Sequence, residues 1–264
     1  MALTKEQVYI GDFLQKARIL KQTWGRTDLY STGHKALDTY FSGGFGRRNG
    51  YEIVLLYGPT GVGKSTVALN FMASAIQRGV RCGMLVLEDD MADVSNRLER
   101  VLGAADYAKM NAARQVLCLP EDALEKSWSL ADLLVYIEDW FTQEKIDLIL
   151  LDHLQFAFEN AEAAKNENEY RAQRVFMQGL NQLMKRTGKT IILVSHMNKA
   201  TAAKGMDRIV GSGALAQAAT KVIEVTEDPD LADTLRLELR KSRFTAKPGF
   251  YYAMKMIDGR LEPC

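Results

Sequence analysis

The chain predicts an α/β fold, a mostly parallel sheet flanked by helices with antiparallel strands at its C-terminal edge. Three observations carry that expectation. Apolar runs alternate with helix-patterned segments from residue 51 to 219, the order that parallel strands and crossover helices require. Several runs, such as Ile53-Val54-Leu55-Leu56-Tyr57 and Thr190-Ile191-Ile192-Leu193-Val194, are apolar without alternation, as strands covered on both faces are. The final runs follow one another with no helix pattern between them.

Taken in order, residues 4–20 place Val8, Ile10, Phe13, Leu14, Ala17 and Leu20 at roughly helical spacing. With the loop through Gly25 they form an N-terminal arm or linker helix over 1–30, which covers its own core or docks on a neighbouring subunit. Residues 42–50 are glycine-rich and read as a turn. Strand 51–57 leads to helix 64–78, and strand 81–88 to helix 91–102. A short strand near 115–119 precedes helix 129–143, and strand 146–152 leads through polar residues 157–169 to helix 169–187. Strand 190–196 is followed by a loop and a small helix at 213–219. Strands near 221–226, 234–241 and 249–257 close the chain as the antiparallel edge. No internal repeat or flexible linker divides residues 31–264, which read as one domain.

Composition narrows the class. Hydrophobic residues make up 47% and charged residues 25% of 264 positions, the balance of a globular protein with a substantial core. No apolar run approaches a membrane span, and the first ten residues lack a signal-peptide layout. Cys82, Cys118 and Cys264 have no metal-type spacing and suit a reducing, cytoplasmic compartment. The net charge of +1 conceals a split: residues 121–170 hold 13 Asp/Glu against 3 Lys/Arg, whereas 171–260 hold 16 Lys/Arg against 8 Asp/Glu. Such asymmetry is compatible with a localised anion-binding surface.

The most specific motif is Gly58-Pro59-Thr60-Gly61-Val62-Gly63-Lys64-Ser65, placed between an apolar strand and the helix opening at Thr66. Strand, glycine loop and helix in that order make a nucleoside-triphosphate phosphate loop. The glycines let backbone N–H groups turn inward onto phosphates, with the helix N-terminus behind them. Lys64 reaches the β- and γ-phosphates, and the Ser65 hydroxyl ligates Mg²⁺. Asp152 ends strand 146–152 at the carboxyl side, where it faces the same crevice and holds the metal through water. Glu88 ends a neighbouring strand and is the candidate general base for an attacking water. Asp89 and Asp90 are competing carboxylates, but either caps the helix at Met91. His196 ends a third strand and is a candidate γ-phosphate sensor.

The next loop carries Lys199, Lys204 and Arg208, and Gly211-Ser212-Gly213 then opens a helix. Free N–H groups beside cations suit backbone phosphates, and without aromatics such a loop reads backbone rather than base sequence. Lys241 and Arg243 stand two apart on a late strand, hence on one face, where they suit the γ-phosphate of a nucleotide held by another subunit.

Together these segments resemble the ATPase domain of RecA-like hexameric replicative helicases, in the phage primase–helicase and Twinkle branch related to the DnaB type. The resemblance runs from Ser31-Thr32-Gly33-His34-Lys35-Ala36-Leu37-Asp38 to the C-terminus. It is carried by Leu151-Asp152-His153-Leu154-Gln155, Gly211-Ser212-Gly213-Ala214-Leu215 and Lys241-Ser242-Arg243-Phe244-Thr245. The resemblance implies a RecA-like P-loop NTPase core with Glu88 as catalytic glutamate and His196 as phosphate sensor. It implies Arg243 as a trans-acting finger with Lys241 as its companion, loops 197–213 around single-stranded DNA, and Tyr252 near the adenine. It further implies ATP or another nucleoside triphosphate with Mg²⁺, a homo-oligomeric, hexameric ring, and primase or polymerase as candidate partners. The setting would be a bacterial or phage-infected cell, or an organellar matrix, with no membrane attachment. For that branch the 197–210 loop is short and poor in basic residues, which predicts weak DNA affinity. No primase domain precedes the ATPase, so ring assembly is expected to rest on the short arm. The competing expectation is a RecA-, KaiC- or RadA-type ATPase acting as a protein switch or recombination factor.

Overall fold

The runs that read as doubly buried strands occupy the middle of one sheet. The computed structural model describes residues 29–46, 50–119, 129–160, 169–196, 213–243 and 251–264. In chain order the strands are β1 (Glu52–Gly58), β2 (Cys82–Val86), β3 (Val116–Cys118), β4 (Leu148–Asp152), β5 (Thr190–His196), β6 (Lys221–Glu227), β7 (Thr234–Ser242), β8 (Tyr251–Ile257) and β9 (Arg260–Pro263). The helices are α1 (Lys35–Tyr40), α2 (Lys64–Gln77), α3 (Met91–Leu102), α4 (Ala104–Ala112), α5 (Leu130–Thr142), α6 (Leu154–Asn160), α7 (Glu169–Thr187) and α8 (Gly213–Ala218). The expected arm helix over 4–20 lies outside the described residues.

The strand order is β3-β2-β4-β5-β1-β6-β7-β8-β9. Each pairing from β3 through β6 is parallel, and β7, β8 and β9 follow antiparallel. One expectation is corrected here: the sequence pattern groups β6 with the antiparallel edge, but it runs parallel to β1, with Lys221 opposite Val54 and Glu224 opposite Tyr57. The chain has 24 residues between His196 and Lys221, α8 among them, long enough for a parallel return. The antiparallel edge therefore begins at β7.

Two cores account for the continuous apolar runs. Side chains alternate across a strand, so Val54, Leu56, Leu148, Leu150, Ile192 and Val194 pack into one core with α2, α3 and α4. Ile53, Leu55, Ile149, Leu151, Ile191 and Leu193 pack into the other with α5, α6 and α7. All twelve are fully buried, and each contributes about 1.5–3 kcal/mol relative to exposure.

Local chemistry sets the helix ends. The Asp90 side chain caps α3 by accepting from Ala92 N at 2.6 Å, and Gly103, at φ +82°, ends it. Ser129 and Asp132 form a reciprocal capping box on α5. The Ser31–Asp38 segment also proves structural: the Asp38 carboxylate accepts from Thr32 N and Thr32 Oγ1 at 2.6 and 2.7 Å, and from Ser31.

Four elements are not apparent from the sequence, the short helix α1 among them. Helix α6 buries Leu154, Ala157 and Phe158, an i, i+3, i+4 stripe hidden by the polar residues after it. Helix α4 restarts the chain after Gly103. Strand β9 returns from β8 through Asp258 and Gly259, both at positive φ (49° and 81°), the tight-hairpin pairing of Asp with Gly. Asn70 of α2 fixes that hairpin, donating to Gly259 O and accepting from Leu261 N, each at 2.9 Å. Among the described residues, no helix is long and apolar enough to cross a membrane.

Candidate active site

The carboxyl ends of β1, β2, β4 and β5 lie side by side, and each delivers a polar residue to the crevice above the sheet. From β1 the chain enters the glycine loop. A Cβ on Gly58 would run into the carbonyl oxygen of Val225 on β6, so only glycine lets the loop leave the sheet so close to its neighbour. Gly61 and Gly63 take φ of +82° and +94°, conformations that glycine adopts without steric cost. Gly63 is also the N-cap of α2 and provides no side-chain cap. The helix thus presents its first N–H groups and positive dipole end to the crevice.

Lys64 is 4% exposed. Its ammonium donates to Pro59 O at 2.7 Å and lies 3.3 Å from His196 Nδ1. Burial lowers its pKa, while the Asp152 and Glu88 carboxylates oppose that shift. Asp152, at the end of β4, is also buried; burial raises its pKa, and the Ser65 hydroxyl, which hydrogen-bonds it, is the leading counterweight. The residues fit a nucleotide–Mg²⁺ complex: an uncapped helix start and a buried lysine face the phosphates, and a hydroxyl–carboxylate contact sits where a hard cation takes oxygen ligands.

Glu88 follows β2 at the rim. The neighbouring carboxylates are engaged elsewhere, Asp89 with Arg97 and Asp90 as the α3 cap. Glu88 instead meets His153, with Oε2 2.6 Å from Nδ1. His153 is a functional candidate that sequence reasoning missed. It is 7% exposed, follows Asp152 directly through a cis peptide, and its ring stands edge-on to that of His196 at 4.3 Å. Its only sequence signal is its place in the Asp152–Gln155 stretch.

His196 contacts Thr60 Oγ1 at 3.4 Å as well as Lys64. An ammonium facing Nδ1 requires a neutral ring protonated on Nε2. Burial, then Lys64, then His153 lower the His196 pKa to about 4. Gln155, 5% exposed, links β4 to β5: its Nε2 donates to Ser195 Oγ at 2.7 Å, and its Oε1 accepts from His196 N at 3.2 Å.

Lys241 and Arg243 do not join this cluster. Both donate to carbonyls at the C-terminal end of α8, Lys241 to Ala216 and Gln217 and Arg243 to Gln217. Arg243 N bonds Thr220 O, and Thr220 N bonds Ile53 O. Arg243 therefore lies level with the start of β1, five residues or about 17 Å along the strand from Gly58. It borders an open polar cavity of about 790 Å³ that Arg174, Gln178 and Lys185 also line. Burial, then Arg243, lower the Lys241 pKa to about 8. Tyr252 is half-buried near the start of β8, opposite Leu237, and packs on the α2-side core. Of the residues expected to contact DNA, Gly213 begins α8, while Lys199, Lys204, Arg208, Gly211 and Ser212 lie outside the described residues.

A family model for an AAA domain matches residues 45–202. No curated protein matches the sequence. Among solved structures, one ATPase domain superposes with a TM-score of 0.72 at 15% identity, covering 98% of this chain and 100% of that one. A DnaB-like replicative helicase, described with its interactions with primase, gives 0.70 at 13% identity over 98% and 68%. A KaiC-like protein from Pyrococcus horikoshii OT3 gives 0.69 at 19% identity over 89% and 98%. At these identities the likeness is one of fold, and it bears out the RecA-like core.

Proposed function

The chain belongs to the AAA domain family, and from that premise we propose an ATP-hydrolysing, ring-forming helicase that translocates on single-stranded DNA. The observation that carries this reading is the separation of Arg243 from the phosphate loop. Lys64, Ser65, Asp152, Glu88 and His196 converge at one end of the sheet, whereas Arg243 and Lys241 sit at the other, turned toward α8. A cation so placed cannot serve its own chain's nucleotide and is suited to the site of an adjacent copy.

In the proposed cycle the loop N–H groups and Lys64 bind the phosphates and orient the γ-phosphoryl group. Mg²⁺, held by Ser65 and Asp152, would neutralise charge on the phosphate oxygens. Glu88, oriented by His153, accepts the proton of the attacking water. Arg243 of the next copy stabilises charge in the transition state, a role worth about 10³–10⁵-fold in rate. His196 relays the state of the γ-phosphate: it touches Lys64 and Thr60 on one side and begins the segment that runs to α8 on the other. Because α8, which follows that segment in the chain, also holds Arg243, a change passed from His196 to α8 would reach the finger. Primase or polymerase would be the partners of such a motor.

A second reading, an ATPase that switches a protein partner, is favoured by the KaiC-like neighbour. ATP turnover measured with and without poly-dT, at two ionic strengths, separates the two. Several-fold stimulation that fades with salt supports DNA translocation, because backbone contacts are salt-sensitive. Turnover indifferent to DNA supports the switch.

A further inference from the structure

We propose that Glu88, His153 and His196 form a second cation site, suited to an imidazole-binding divalent ion such as Zn²⁺, whose occupancy arrests hydrolysis. One donor atom from each residue lies within 4.8 Å of the others. Tetrahedral Zn²⁺, with bonds of about 2.0–2.2 Å, sets its ligands roughly 3.3 Å apart. The widest pair is therefore at most about 1.5 Å from closing. Glu88 Oε2 already lies 2.6 Å from His153 Nδ1, and the Glu88 side chain, 55% exposed, has room to adjust. The two rings are already in edge contact, and Gln155 anchors the backbone of His196.

The donor chemistry separates this site from the Mg²⁺ position. Two imidazoles and one carboxylate suit borderline ions, whereas Mg²⁺ prefers oxygen ligands, which Ser65 and Asp152 offer. Three protein donors leave a fourth position for water or a phosphate oxygen. On binding, the ion takes a lone pair from each of Glu88, His153 and His196, and the protons that occupied those positions pass to solvent. Lys64, 3.3 Å from His196 Nδ1, opposes a second cation, and the carboxylates of Glu88 and Asp152 offset it. The inhibitory half of the proposal rests on Glu88 and His196 acting in hydrolysis; the binding half does not.

The two halves are tested apart. Zn²⁺ is titrated into the full chain without nucleotide, in competition with a chromophoric chelator, and Co²⁺ serves as a spectroscopic substitute. The chain has three histidines, and the third, His34, lies at the N-cap of α1. One equivalent is expected, with Co²⁺ bands free of thiolate charge transfer. His153→Ala and Glu88→Gln should each weaken binding at least about 10–100-fold, and His34→Ala should leave it unchanged. A thiolate band, binding untouched by His153→Ala and Glu88→Gln, or equal competition by Mg²⁺ overturns the site. With Mg²⁺–ATP present, Zn²⁺ at its measured dissociation constant should roughly halve turnover. If Zn²⁺ binds through these residues and turnover persists, the site stands and the role of Glu88 and His196 in hydrolysis fails.

Discussion

Replacing Gln155 with leucine breaks the link between the β4 and β5 walls of the site while nearly preserving volume. It removes the 2.7 Å bond to Ser195 Oγ and the 3.2 Å bond from His196 N. Each bond is worth about 0.5–1.5 kcal/mol net, so the loss is about 1–3 kcal/mol. With a urea m-value of about 3 kcal/mol/M, the unfolding midpoint should fall by roughly 0.3–1 M with an unchanged slope. Ser195→Ala removes the bond from Gln155 together with the 3.3 Å bond from Ser195 Oγ to His196 O, and should cost a comparable amount. Function should suffer more than folding, because His196 loses the anchor that holds its ring against Lys64 and Thr60. Turnover at saturating ATP should therefore drop in folded Gln155→Leu protein while nucleotide affinity changes little. Urea denaturation, phosphate release and nucleotide titration on one preparation give all three quantities. A Gln155→Leu variant with the parent midpoint and the parent turnover would refute the argument.

Other sites make distinct predictions. Gly58→Ala forces a methyl against the Val225 carbonyl; overpacking of this kind costs about 1–3 kcal/mol, and both thermal midpoint and nucleotide affinity should fall, whereas full retention of both would contradict the close approach. Lys221→Met leaves buried Glu52 without the cation 3.3 Å away, and Lys221 also holds Gly44 O at 2.7 Å. Breaking such a pair costs about 3–5 kcal/mol, and adding Glu52→Gln should recover part of it in urea unfolding. For His196 the folded pKa of about 4 lies below the ordinary 6.5. The neutral ring thus contributes stability above pH 6.5 that is lost as pH falls toward 4. Imidazole NMR should show a resonance titrating near 4 that His196→Gln removes, along with part of the acid limb of the stability curve; a His196 midpoint near 6.5 would oppose this.

Much of the site was legible because its code is local. A glycine loop between a buried strand and a helix announces itself within a dozen residues, and polar residues closing apolar runs mark the carboxyl ends of parallel strands. Glu88 could be preferred over Asp89 and Asp90 because helix capping accounts for the latter, and the structure adds Arg97 as the partner of Asp89. His153 escaped because its meaning lies in its contact with Glu88, on a different strand and far away in sequence. The direction of β6 escaped because an apolar run looks the same read either way; only the length of the preceding connection spoke for parallel. The carbonyls that receive Lys241 and Arg243 are backbone groups of Ala216 and Gln217, residues whose side chains carry no such signal.

The central claim is that each nucleotide site is completed by Arg243 from another copy, and mixing two inactive variants tests it most directly. Lys64→Ala loses its own phosphate site but keeps a finger to lend, and Arg243→Ala keeps the site but lends nothing. Each variant alone should lose most turnover, the finger being worth about 10³–10⁵-fold. Co-assembled at equal ratio, they should recover a measurable fraction of parental ATP hydrolysis. Full activity of Arg243→Ala alone, or no recovery in mixtures shown to co-assemble, would contradict the account.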